Sequence, residues 1–160
     1  YRGLPVDGYR EDFRFMLGKA IEYAGGDSKR VVVLSIPDWG FTPFAADRDT
    51  EPISQQIDEF NAVNLEETEG MGAHYVDVTD ISRTARDDIG LIASDRLHPS
   101  GKMYALWAEK TLPVALEILL AEKGEWHVKD RLRSNTGIHH IPRPAARTRS
   151  VENGKVCRGK

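Results

Sequence analysis

The sequence predicts an α/β fold, and three observations carry that prediction. Lys29 to Ile36 is a continuous β-branched run without alternation, the pattern of a strand covered on both faces. Ala73 to Thr79 is a second apolar run of strand length. Ahead of each lies a stretch whose apolar residues recur at spacings of three and four, so helix and strand alternate as they do around a parallel sheet.

The first helix is expected on Tyr9, Phe13, Met16, Leu17, Ala20 and Ile21, with Arg10, Glu11, Arg14, Lys19 and Glu22 on the wet side. Gly25-Gly26 suits a left-handed cap at its end. The Gly26-Asp27-Ser28 letters that follow stand after a helix and before a strand. Ser28 therefore falls at the edge of the sheet opposite to the one where α/β folds present a nucleophile, and it is read as structural.

The strand at Val31 to Ile36 ends at Pro37-Asp38, and its following loop, with Trp39, Phe41 and Phe44, leaves the C-terminal edge where ligands bind in open α/β sheets. These aromatics suit an acyl or sugar pocket as well as they suit simple anchoring of the loop. Asp38 needs no role beyond capping the strand end. A second helix is expected from an N-cap at Thr50, with Glu51 and Pro52 in its first turn and Ile53, Ile57, Phe60, Val63 and Leu65 inward. Glu66, Glu67 and Glu69 read as its solvated face, because no further ligand is spaced to complete a metal site. Gly70 and Gly72 close that helix. His74 precedes the second strand, Asp77 and Asp80 flank its end, and Ile81 to Ile92 reads as a loop with a partial helical turn. A last helix is expected to begin at Pro99 or Ser100 and to bury Tyr104, Leu106, Trp107, Leu112, Val114, Ala115, Ile118 and Leu119. Pro113 within it calls for a kink or a restart.

Just before that helix stands Ser94-Asp95-Arg96-Leu97-His98-Pro99-Ser100-Gly101. An Asp three residues ahead of a His in a short turn lets the carboxylate accept a hydrogen bond from the near ring nitrogen, leaving the far nitrogen as a base. The plainer reading is a turn-capping Asp95 beside a surface His98.

Taken in order, Val31 to Ile36 with Pro37-Asp38, a polar helical stretch, Tyr75-Val76-Asp77-Val78-Thr79-Asp80, and Asp95-x-x-His98-Pro99-Ser100-Gly101 resemble the C-terminal half of the SGNH hydrolases, the GDSL-type esterases and lipases. The resemblance covers roughly residues 1 to 122. It implies a flavodoxin-like, three-layer α/β/α fold whose N-terminal strands are missing here, so the chain is expected to be a fragment. By that resemblance, His98 is the catalytic base and Asp95 its orienting acid. The family's nucleophilic Ser and its oxyanion donors find no counterpart in the right order. The implied activity is hydrolysis of an ester, whether of a lipid, a short acyl ester or an acetylated sugar, by a Ser-His-Asp mechanism, with no metal or organic cofactor and with little activity in this chain alone. The alternative is a non-catalytic SGNH-like binding module or pseudoenzyme, whose open sheet edge pairs with a partner.

Charge divides the chain. Residues 1–122 hold 12 basic and 22 acidic side chains, and residues 123–160 hold 10 and 3, an acidic body before a basic tail. The tail, rich in Arg, Pro and Gly, is expected to be mostly disordered. Its Arg143 to Arg149 segment lacks the interleaved aromatics that read nucleic acid, so a solvated extension is the stronger reading. His139-His140 is too small a pair to hold a metal. The single Cys157 permits no internal disulfide, and no apolar run approaches the ~20 residues of a membrane span.

Overall fold

A computed structural model describes residues 6–135. Its elements alternate as predicted: α1 (Val6–Tyr23), β1 (Val32–Leu34), α2 (Glu51–Gly70), β2 (His74–Val76), α3 (Thr79–Arg83) and α4 (Gly101–Asn135), with short 3-10 turns between them. The two strands pair in parallel, Val32 with His74, Val33 with Tyr75 and Leu34 with Val76. Tyr75 lies against α2, where its hydroxyl is 3.5 Å from the Asn61 carbonyl, and Val76 belongs to the core beneath α4. Helices therefore lie on both faces of a small parallel sheet.

Both strands are shorter than the sequence predicts. Residues 28–30 form a 3-10 turn capped by Asp27, and the chain leaves the sheet at Ser35. The reason lies in the far side of β1. Backbone groups alternate along a strand, so Val31 and Ser35 bond β2 while Val32, Leu34 and Ile36 face away from it. At Ile36 a side chain stands in for a neighbouring strand: Asn61 Oδ1 accepts from Ile36 N–H at 2.8 Å and Asn61 Nδ2 donates to the Ile36 carbonyl at 3.0 Å.

α1 ends as its glycines require. Gly25 and Gly26 both have φ of +81°, Gly26 N–H reaches the Ile21 carbonyl, and Gly25 N–H reaches that of Glu22, the paired bonds of a Schellman cap. Tyr9, Phe13 and Leu17 face inward, Tyr9 against Phe60 of α2 at 4.5 Å between ring centres. Met16, predicted inward, is exposed, because one neighbouring helix covers only a narrow stripe of α1. Glu67, predicted as solvated, is buried where Arg10 and Arg14 of α1 pair with it. Leu65 is exposed, and Thr50 makes no capping bond through its side chain; Asp49 Oδ1 instead accepts from Glu51 N–H at 3.3 Å.

The main core comprises Val76, Val78, Ala85, Leu91, Ile92, Met103 and Trp107, with Val32, Leu106 and Val114 against it. Residues 81–92, read as a loop with a partial helical turn, complete α3, which begins at Thr79 where the sequence predicts strand, and add two 3-10 turns that set Ala85 and Leu91 into this core. α4 runs through Pro113 without a restart and continues past Lys123, where the sequence places a boundary. Tyr104, Leu112 and Leu119, predicted as buried, are exposed, since a two-stranded sheet underlies only part of so long a helix. By its contacts the chain divides into Tyr1–Gly124 and Glu125–Lys160. His139-His140, Arg143 to Arg149 and Cys157 lie outside the described residues. No described helix is long and apolar enough to cross a membrane.

Candidate functional site

The Asp95 to His98 turn is built by its own backbone. Arg96 N–H bonds the Ala93 carbonyl at 3.0 Å, Ala93 N–H bonds the His98 carbonyl at 2.8 Å, and Ile92 bridges Pro99. Closing so tight a loop puts Arg96 at φ +68°, the one non-glycine residue in the left-handed region among those described. That conformation costs about 1 kcal/mol. It is held from outside: the Arg96 carbonyl accepts from Phe44 N–H at 3.0 Å, and its guanidinium donates to the Pro43 carbonyl at 3.3 Å. Behind the turn Ser100 Oγ donates to the Gly90 carbonyl at 2.7 Å and accepts from Met103 N–H at 3.4 Å, capping α4.

The Asp95 carboxylate is fully engaged. Oδ1 accepts from Leu97 N–H and His98 N–H, both at 3.0 Å, and Oδ2 lies 2.6 Å from His98 Nδ1. These donors, the two backbone amides first, hold its pKa down at about 2. An ionised carboxylate only accepts, so Nδ1 carries the proton and, in the neutral ring, Nε2 presents its lone pair. The His98 side chain is 70% exposed, and Nε2 has no hydrogen-bond partner among the described residues. The arrangement supplies an oriented base open to whatever approaches from solvent.

Ser28 precedes β1, at the opposite end of the strand from the loop that meets the Asp95–His98 turn, and none of the described serine hydroxyls bonds the His98 ring. Asp38 is buried and spent: its Oδ1 accepts from Gly40 N–H at 2.9 Å and its Oδ2 from Arg83 Nε at 3.0 Å. Asp80 pairs with Lys110 on the surface. His74 opens β2, half-buried. No group of three potential metal ligands gathers among the described residues.

A buried polar cluster at the C-terminal ends of the strands was not visible in the sequence. Ser35 Oγ accepts from Val78 N–H at 2.7 Å and Thr79 N–H at 3.0 Å and donates to Asp77 Oδ1 at 2.9 Å. Asn61 Nδ2 adds a bond to Thr79 Oγ1 at 2.9 Å. The amide of Thr79 and the hydroxyls of Ser35 and Thr79 lower the pKa of Asp77 against the burial that raises it, while burial and the Asp77 charge push the Tyr75 hydroxyl up to about 12. These bonds fix where the chain leaves each strand. Ser35 and Asn61 are single polar letters within or beside apolar runs, and that placement is the only sequence signal of their role.

The aromatic loop divides its work. Phe41 lies under Arg83 and Arg86, an anchoring contact, whereas Trp39 faces a cavity of about 1060 Å³ between α1, α2 and the end of β1. Trp39 and Phe44 stand 6.0 Å apart with the Arg48 guanidinium over both rings. Phe44 is the residue whose amide holds the His98 turn, so the cavity wall and the turn share one loop. His98 itself does not line the cavity. Comparison with models of protein families, with curated proteins and with solved structures finds no match.

Proposed function

We propose that this chain carries the base half of a Ser-His-Asp ester hydrolase, a flavodoxin-like, three-layer fold of the SGNH type. His98 takes the proton of an attacking serine and returns it to the leaving alcohol, while Asp95 fixes the ring and steadies the imidazolium. The observation that carries this reading is the 2.6 Å contact from Asp95 Oδ2 to His98 Nδ1, with Nε2 left open at the exposed end of the ring. No described serine hydroxyl bonds the His98 ring, and the reading therefore takes the nucleophile and its oxyanion donors from polypeptide outside these residues. The substrate is a small acyl ester, and no metal or organic cofactor enters the scheme.

The test is labelling by a fluorophosphonate probe, with the modified residue mapped by mass spectrometry. Folded chain alone should take no label. Mixed with the serine-bearing half of an SGNH domain, it should restore labelling of that serine, and His98→Ala should abolish the restoration. Label on any serine of the chain alone, Ser28, Ser94 and Ser100 included, would defeat the divided-site reading. Restored labelling that survives His98→Ala would remove His98 as the base.

A second reading, a non-catalytic module that binds through its sheet edge, is favoured by one observation: Val32 and Leu34 turn their backbone groups away from β2, and Leu34 is 39% exposed. Serine labelling that depends on His98 excludes it.

A further inference from the structure

The cavity beside Trp39 has the form of a ligand site, and the geometry points to a neutral amphiphile as its occupant: an apolar acyl chain on the floor and an oxygen acceptor at the mouth. If His98 serves ester hydrolysis, this is the acyl site of that reaction. The floor is Tyr9 and Phe60 in ring contact, with Ile36, Ile53 and Ile57 beside them. At about 1060 Å³ the space is at the upper end of the range of small-molecule pockets, which bind by apolar walls with few polar groups. The Tyr9 hydroxyl does not offer itself to a ligand, because it donates to Asn64 Oδ1 at 2.6 Å. The floor is therefore apolar in effect as well as in composition.

The mouth is different. Arg48 lies 5.7 Å above the Trp39 ring and 5.0 Å above that of Phe44, and its guanidinium makes no hydrogen bond or ion pair among the described residues. A guanidinium held over two rings by cation–π attraction keeps its N–H donors free, which suits it to hold a carbonyl or hydroxyl oxygen. Glu11, Asp12 and Asp49 line the same cavity, three carboxylates to one guanidinium. The field at the mouth is negative and selects against a ligand that ends in a carboxylate. A neutral ester is accepted, and the free fatty acid it would yield is disfavoured. The position of the mouth agrees: Arg48 and Trp39 abut Phe44, whose amide bonds Arg96, two residues from His98.

The test is calorimetric titration of the full chain with a neutral medium-chain monoacylglycerol below its micelle concentration, and with the free fatty acid of equal chain length. The ester should bind, the acid about tenfold more weakly, and added salt should narrow the gap by screening the mouth. Gln56→Trp, which adds bulk to the α2 wall, should weaken ester binding at least about tenfold; Arg48→Ala, at an exposed position that keeps the fold, should weaken it about fivefold, as loss of a single hydrogen bond predicts. Equal binding of acid and ester overturns the inference, as does binding indifferent to both substitutions. So does absence of binding, including the case in which Gln56→Trp instead disperses a self-associated chain, which would make a second copy the occupant. His98→Ala should leave binding unchanged. Binding without His98-dependent labelling retains the cavity site and rejects the hydrolase reading, and the reverse pattern does the opposite.

Discussion

Asp38 and Asp95 make nearly the same bonds in two regions of the molecule, and what surrounds them separates lock from tool. Each accepts the amide two residues ahead, Gly40 for Asp38 and Leu97 for Asp95, and each gives its other oxygen to a nitrogen-bearing side chain. The Asp38 side chain is fully buried, and its partner Arg83 is bonded onward to Asp58 at 2.7 Å. Nothing there is left to react. Asp95 is half exposed, and its partner His98 ends in a free nitrogen facing solvent. The same carboxylate chemistry thus fastens a loop when both ends are occupied, and readies a base when one end stays open.

The sharpest way to break the comparison is to remove each acid. Asp38→Ala takes from Arg83 the buried one of its two carboxylate partners, leaves the buried Gly40 amide unpaired, and should cost about 3 kcal/mol, the lower end for breaking a buried pair because Arg83 keeps Asp58 and is a third exposed. Urea denaturation measures it, and a loss no larger than a surface ion pair's would place Asp38 among ordinary caps. Asn61→Ala comes next. It removes the side chain that completes both backbone bonds of Ile36, for about 2 kcal/mol in the same assay.

Asp95→Asn should shift the urea midpoint little, yet change the ring. With no carboxylate to accept from Nδ1–H, nitrogen NMR of His98 should show the tautomer population altered, and a ring unchanged by the substitution would reject the orienting role. Asp95 also predicts a pH dependence. Its folded pKa, about 2, lies below the ordinary 3.8, so its stabilisation is in place above the ordinary value and disappears as the pH falls towards about 2. Carboxyl-carbon NMR should give that low midpoint; one near 3.8 would mean the three bonds to Asp95 are not kept in solution. The smallest effect is expected at Thr50→Ala. A capping Thr is worth about 1 kcal/mol, but this one makes no capping bond, so the change should fall below about 0.5 kcal/mol.

What was legible in the sequence is what depends on neighbours along the chain. The two glycines ending α1, the alternation of helix and strand, and the approach of Asp95 to His98 all involve residues within a few positions of one another. The misplaced residues depend on distant partners. Glu67 reads as solvated until Arg10 and Arg14 arrive from another helix, and Leu112 and Leu119 read as core until the sheet beneath α4 proves to be two strands wide. Periodicity tells which residues share a face, but not whether anything covers it.

By itself, then, the sequence determined the order of the main helices and strands, the glycine cap of α1 and the local hydrogen-bonded turn that carries His98, because those follow from backbone conformations and side chains a few bonds apart. Tertiary structure alone decided the strand ends held by Asn61, the burial of Asp38 and Glu67, and the enclosure of a cavity beneath Trp39. Each of these needs groups separated by tens of residues to meet, and the free energy of that meeting comes from burial and desolvation, which a linear pattern does not record.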